Sequence, residues 1–168
     1  RQDCALLVCF LVFLQSKDAK MKIAIGTDHQ GFKLKVALKE KLQELNHEVS
    51  DFGCFSEHSC DYPDYAVQVA EAVARGDYDK GILICRTGIG MSITANKVPG
   101  VLAALVCDEE MARLASEHNN ANIICLSSSV NQNRIMDIVT SWLDTPFGGE
   151  RHLLRIEKIK EIERKYLK

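Results

Sequence analysis

No C-x-x-C pair occurs in the chain, and its seven cysteines are an odd number. A disulfide framework is therefore a poor reading, and a reducing, cytoplasmic setting is the better expectation. None of the five histidines stands in H-x-x-x-H or H-E-x-x-H spacing, so no metal site is expected. No G-x-x-x-x-G-K-[ST] run is present, which removes the phosphate loop of the common NTPases. An excess of positive charge is missing too: 21 Lys and Arg face 23 Asp and Glu, for a formal net charge of -2. Nucleic-acid binders usually show a basic patch or stripe, so no nucleic-acid partner is expected, and any anion the protein holds must be small and held locally. Internal repeats and low-complexity tracts are absent. The apolar run at 4–14 falls short of the about 20 residues that cross a bilayer, so no membrane partner is expected for residues 21–168.

What is present fits one domain. A chain of 168 residues of which 46% are apolar can bury a sizeable core. The run at 4–14 resembles the apolar region of a signal peptide, but only Arg1 provides a basic flank, and Met21-Lys-Ile-Ala-Ile-Gly reads as an independent start. Residues 1–20 are thus expected to be an extension, either a targeting remnant or a non-native start, and residues 21–168 the domain, C-terminal helix included. From Met21 onward strands and helices alternate. Strands are expected at 22–26, 48–53, 81–85, 101–107 and 121–126. Helices are expected at 32–45, 65–75, 108–117, 135–143 and 151–166, with a further one opening after the glycine turn at 88–90. Phe32, Val36, Leu38, Leu42 and Leu45 fall near one face of the first helix, and Val67, Ala70, Val73 and Ala74 face inward on the second. Cys107 and Cys125 sit in apolar strand-like runs, where free cysteine acts as a small hydrophobe. Repeated βα units with short loops give an α/β fold: a three-layer α/β/α sandwich, Rossmann-like, on a five-stranded parallel sheet.

The most informative stretch is Gly81-Ile-Leu-Ile-Cys85-Arg-Thr87-Gly88-Ile-Gly90-Met91. A buried strand ends on a thiol and runs into a glycine turn that starts a helix. In open α/β sheets ligands bind at the C-terminal ends of the strands, and a thiol beside a helix N-terminus gains reactivity. The bland reading is a plain buried cysteine. Gly88-Ile-Gly90 is weak as a nucleotide motif, because Ile93 stands where a third glycine would fall, and it reads better as a small oxyanion or phosphate cradle. Asp28-His29 follows the first strand, either as a helix cap or as a carboxylate and imidazole presented together. His118-Asn119-Asn120 either terminates a helix, since Asn tolerates the left-handed conformation, or supplies an imidazole for proton transfer. This group precedes its strand and so lies at the opposite edge of the sheet from Cys85, and one subunit need not complete the site. Arg151 and Arg155, at i and i+4, share a helix face, either as solvated charge or as two guanidiniums on a phosphate.

Five motifs in order resemble the family of ribose-5-phosphate isomerase B and the galactose-6-phosphate isomerase subunits. They are Gly26-Thr-Asp28-His29-Gln-Gly31, Asp61-Tyr62-Pro63, Ile84 through Lys97, His118-Asn119-Asn-Ala-Asn122, and Gly148-Gly149-Glu-Arg151-His152-Leu-Leu-Arg155. The resemblance covers about residues 21–168. It implies an aldose–ketose isomerase working through an enediolate without metal or organic cofactor, interconverting ribose 5-phosphate and ribulose 5-phosphate in the non-oxidative pentose phosphate branch. It implies that Cys85 is the proton-shuttling base, and that Thr87 with the amides of Gly88, Ile89, Gly90 and Met91 stabilises the enediolate oxygen. His118, helped by Asp28, would open the furanose ring. Tyr62 and Asn119 would meet the sugar, and His29, Arg151 and Arg155 the phosphate. A homodimer or homotetramer with shared sites is implied as well. Alternatives are a six-carbon substrate, allose or galactose 6-phosphate, and a non-catalytic sugar-phosphate-binding subunit. Two positions depart from the family pattern: Arg86 replaces a common glycine, and Ser129 replaces a common arginine.

Overall fold

The computed structural model describes residues 20–166. The expected N-terminal extension lies outside the described residues except for Lys20. Five strands, β1 (Lys22–Thr27), β2 (Glu48–Asp51), β3 (Lys80–Cys85), β4 (Ala103–Leu105) and β5 (Ile123–Ser127), form one sheet in the order β2-β1-β3-β5-β4, every pair parallel. Six helices accompany them: α1 (Phe32–Glu44), α2 (Tyr62–Ala74), α3 (Ile89–Ala95), α4 (Glu109–Glu117), α5 (Gln132–Asp144) and α6 (Glu150–Tyr166). A 3-10 turn, His29–Gly31, leads into α1. This is the expected α/β sandwich on a five-stranded parallel sheet.

Parity along the strands assigns the layers. Ile23, Ile25, Ile82, Ile84, Ile124 and Leu126 face α1, α4 and α5, together with Leu34, Leu38, Leu42, Ala112, Ile138 and Trp142. Their neighbours Ala24, Leu83, Cys85, Ile123 and Cys125 face α2 and α3, against Val69, Ala70, Val73, Met91 and Ala95. Side chains alternate across a strand, so a sheet covered on both faces must be apolar at nearly every position. Local chemistry sets the helix limits. Asp108 caps α4 by accepting the Met111 N–H at 2.7 Å. Pro63 lies in the first turn of α2, and Gly76, at φ 78°, ends that helix.

Several sequence expectations shift here. In α1 the buried stripe is Leu34, Leu38 and Leu42, at i, i+4 and i+8, with Lys35 beside it. Val36 points away from that stripe and Leu45 lies past the helix end, so both are exposed. Lys35 is fully buried, its ammonium donating to Asp51 Oδ1 at 2.5 Å and Cys54 O at 2.7 Å. In α2, Ala70 and Val73 are buried as expected, Val67 only partly, and Ala74 at the last turn is exposed. Of the two cysteines expected in strands, Cys125 is buried and Cys107 lies exposed beyond β4. That strand is three residues long because it is the sheet edge and pairs on one side only.

The strand order reverses direction between β1 and β3: β2 lies outside β1 on one side, and the chain then crosses to add β3 on the other. Such a switch point opens a crevice at the C-terminal ends of the two strands. Thr27 ties those ends together, its hydroxyl reaching Ile84 O at 2.8 Å. The opposite edge, where β4 and β5 start, is crossed by α6. The Gly148 N–H donates to Glu117 O at 2.8 Å, and Glu163 accepts the Gly100 N–H at 2.8 Å.

Candidate active site

Cys85 is the last residue of β3, at the switch point, and is 5% exposed. Its Sγ accepts the Gly88 N–H at 3.1 Å, which folds the turn back over the sulfur. Gly88 has φ 78°, and a Cβ there would meet Leu105 Cδ1 at 2.6 Å and the Leu126 carbonyl carbon at 3.1 Å. Only glycine satisfies both conditions. The Ile89 N–H donates to Thr87 Oγ1 at 3.3 Å. Of the four amides implicated by the resemblance, those of Gly88 and Ile89 thus already have partners within the turn. The amides of Gly90 and Met91 lie in the first turn of α3, where N–H groups have no carbonyl one turn back to bond. The Tyr62 ring covers Gly90 so closely that a Cβ there would lie 2.6 Å from its Cζ. This brings Tyr62, from the start of α2, onto the Cys85 turn.

Asp28 is the cap of the 3-10 turn: its Oδ1 accepts the Gln30 N–H at 2.9 Å and the Gly31 N–H at 3.3 Å. Its own N–H donates to Ile84 O at 3.2 Å, beside Cys85. Capping and a place at the switch point therefore coexist. His29 follows, its Nδ1 accepting the Cys60 N–H at 3.3 Å. That contact fixes the ring by the loop preceding α2.

The second group lies at the other edge. His118 ends α4, and Asn120, at φ 48°, turns the chain away, so the helix-terminating reading holds for Asn120. His118 stacks on His152 of α6, ring centroids 4.2 Å apart and planes 12° from parallel. Arg151 and Arg155 are exposed on α6 beside this stack. The structure thus gathers Cys85, Thr87, the glycine turn, Tyr62, Asp28 and His29 at one edge, and His118, Asn119, Arg151 and Arg155 at the opposite edge of the same chain. The sequence assigns His152 no role; its one signal there is a place within Gly148–Arg155.

Both departures from the family pattern lie in one spot. Arg86 has no left-handed backbone, since the only non-glycine residues with positive φ among those described are Asn46, Asn120 and Glu150. Its carbonyl accepts the Ser127 hydroxyl at 2.6 Å and the Ser129 hydroxyl at 3.3 Å. Two other motif residues are structural. Asn96 clasps Ala103 through both its amide nitrogen and oxygen, at 2.8 and 3.0 Å. Asn122 binds Leu102 N–H and Gly100 O in the same way, at 2.8 and 2.9 Å.

The model of the ribose/galactose isomerase family matches residues 23–159. The chain belongs to that family. The ribose-5-phosphate isomerase B of Escherichia coli is 44% identical over 145 residues, covering 86% of this chain and 97% of the relative. A solved ribose-5-phosphate isomerase B from Clostridium thermocellum superposes with a TM-score of 0.86 at 50% identity, covering 87% of this chain and 99% of the other. The enzyme from Mycoplasma genitalium, solved with bound ribulose-5-phosphate, gives 0.83 at 45% identity, covering 86% and 97%. Membership carries the enzyme class with it: the chain is an aldose–ketose isomerase. Among the described residues, no helix is long and apolar enough to cross a membrane.

Proposed function

We propose that the protein interconverts ribose 5-phosphate and ribulose 5-phosphate through an enediolate with Cys85 as the base. The observation that carries this is the Cys85 turn itself: a nearly buried sulfur at the switch point, held at 3.1 Å by the Gly88 amide, in a chain whose Mycoplasma genitalium relative is solved with ribulose-5-phosphate. In the forward direction the Cys85 sulfur takes the proton from C2 of the open-chain aldose and returns it to C1, while the hydroxyl proton passes from O2 to O1. The negative charge that develops on oxygen is met by Thr87 and by the amides of Gly90 and Met91, which are fixed before reaction and cost no reorganisation. The amides of Gly88 and Ile89 shape this turn. Asp28 and His29 sit at the adjoining strand end for the ring oxygen and the phosphate, and Tyr62 walls the sugar.

His118, Asn119, Arg151 and Arg155 enter from a second copy. The topology supports this reading, because the same chain carries them at the edge of the sheet remote from Cys85, and a shared site in a homodimer or homotetramer unites the two groups. His118 then acts on the ring oxygen as acid and base, and the two guanidiniums hold the phosphate in forked hydrogen bonds. A cytoplasmic setting accords with Cys54, Cys60, Cys85, Cys107 and Cys125 all being free thiols.

The test is an isomerase assay on residues 21–168 with ribose 5-phosphate, run in parallel with allose 6-phosphate. Turnover of the pentose phosphate, abolished in Cys85→Ala with binding retained, is the expected result. Wild-type turnover no faster than that of the variant would overturn the base assignment. Faster turnover of the hexose phosphate would move the substrate to six carbons.

A further inference from the structure

We propose that His152 is a positioning residue for His118: a buried, uncharged imidazole that serves as the plate against which the His118 ring is held. This rests on the reading of His118 as a proton-transferring group, and its test is chosen so that the two can fail separately.

His152 is 6% exposed, and its ring lies 4.2 Å from that of His118 in a nearly parallel stack. Its backbone is fixed on both sides. Its N–H donates to Gly149 O at 2.9 Å, and the Gly148 N–H clips the segment to Glu117 O, one residue before His118. The plate and the ring it supports are therefore tied together through the main chain as well as through the stack.

The hydrogen bonds also define the protonation state. Arg151 Nε approaches His152 Nε2 at 3.4 Å. A guanidinium only donates, so Nε2 accepts, and the ring is neutral with its proton on Nδ1. That Nδ1 is buried without a hydrogen-bond partner among the described residues. Leaving a buried donor unsatisfied is unfavourable and calls for an explanation. Here the stack holds the ring plane and the Arg151 contact holds Nε2, which leaves Nδ1 on the buried side. Charged and titratable groups face the ring from both helices: Arg151 and Arg155 on α6, and His118 and Glu117 at the end of α4; Glu110, further along α4, acts on His118. Burial is the largest effect on the His152 proton affinity, and with the neighbouring His118 and two arginines it lowers the pKa below the usual histidine value. Glu117 opposes it. Burial and the Arg151 contact thus both favour the neutral form of His152.

The experiment compares His152→Ala with His152→Phe in the full protein. A flat aromatic ring that cannot titrate preserves a plate and removes the imidazole chemistry. Misplacing a reacting group by about 1 Å costs up to about 100-fold in rate. His152→Ala is expected to lower kcat roughly 10- to 100-fold, with KM for ribose 5-phosphate changed much less. His152→Phe should recover most of that loss. NMR of the His118 ring protons in the free protein gives a readout independent of turnover: alanine should shift them by removing the stacked ring, with the remaining spectrum dispersed as in the wild type. Unshifted His118 resonances in His152→Ala would overturn the proposal. So would a phenylalanine variant as slow as the alanine one. A wild-type protein inactive on every sugar phosphate would instead refute the functional reading and leave the NMR comparison to decide this one.

Discussion

Two glycines two residues apart in the Cys85 turn should respond to the same substitution in opposite ways. Gly88 sits at φ 78°, where a left-handed backbone costs an L-residue roughly 1–2 kcal/mol. An added Cβ would also press on Leu105 Cδ1 at 2.6 Å and on the Leu126 backbone at 3.1 and 3.2 Å. The leucine tip can move, but the β5 backbone is in the sheet interior and cannot. Overpacking of this kind costs about 1–3 kcal/mol, so Gly88→Ala should lose about 2–5 kcal/mol in all. For a domain of this length about 1 kcal/mol lowers Tm by roughly 2–4 °C, so a fall of roughly 4–20 °C is expected by calorimetry at matched protein concentration. Gly90 has no positive φ, and every close neighbour of its added Cβ is the Tyr62 ring, a half-exposed side chain at the start of a helix. That ring can swing aside. Gly90→Ala should therefore melt close to the wild type while raising KM, because the tyrosine no longer walls the sugar. Equal Tm losses in the two variants, or a Gly88→Ala protein as stable as the wild type, would refute the reasoning.

Other perturbations have equally definite outcomes. Asp51→Ala leaves the buried Lys35 ammonium with the Cys54 carbonyl but without its counter-charge, and should cost about 3–5 kcal/mol in urea denaturation. Lys35→Met, which removes the buried charge and keeps the apolar stem, should cost clearly less. Arg86→Gly should destabilise by about 0.4–1 kcal/mol, because Arg86 has no positive φ to relieve and glycine only adds freedom to the unfolded chain. Acid should also weaken the fold through His152: its folded-state pKa is depressed, so as pH falls through the ordinary histidine range the unfolded chain takes up a proton that the folded one refuses. Tm measured from pH 8 downward should drop below about pH 6.5, and His152→Phe should flatten that part of the profile.

How far the sequence could be read follows from which forces are local. Strand parity, helix periodicity and the glycine turn are properties of neighbours along the chain, and the five-stranded parallel sandwich followed from them. Boundaries moved where tertiary contacts overrule local pattern. β4 is short because it pairs only with β5, and Val36 is exposed because the stripe of α1 is set by which face meets the sheet. Lys35 could not be foreseen as a core residue, since its burial depends on Asp51 and a carbonyl 19 residues away. The site divides along the same line. The Cys85–Gly88 hydrogen bond and the Asp28 cap span no more than three residues, and this local geometry was legible. The pairing of His118 with His152 joins residues 34 positions apart, with β5 and α5 between them, and no spacing rule predicts it. Topology supplies the remaining step. A helix that follows a parallel strand must run back across the sheet, so α4 delivers His118 to the edge that β3 starts from, while β3 delivers Cys85 to the edge where it ends. No rearrangement of loops in one copy brings the two residues together while the sheet persists. If both act on one sugar, the acting species contains at least two chains, and a sizing column run at assay concentration should show no active monomer.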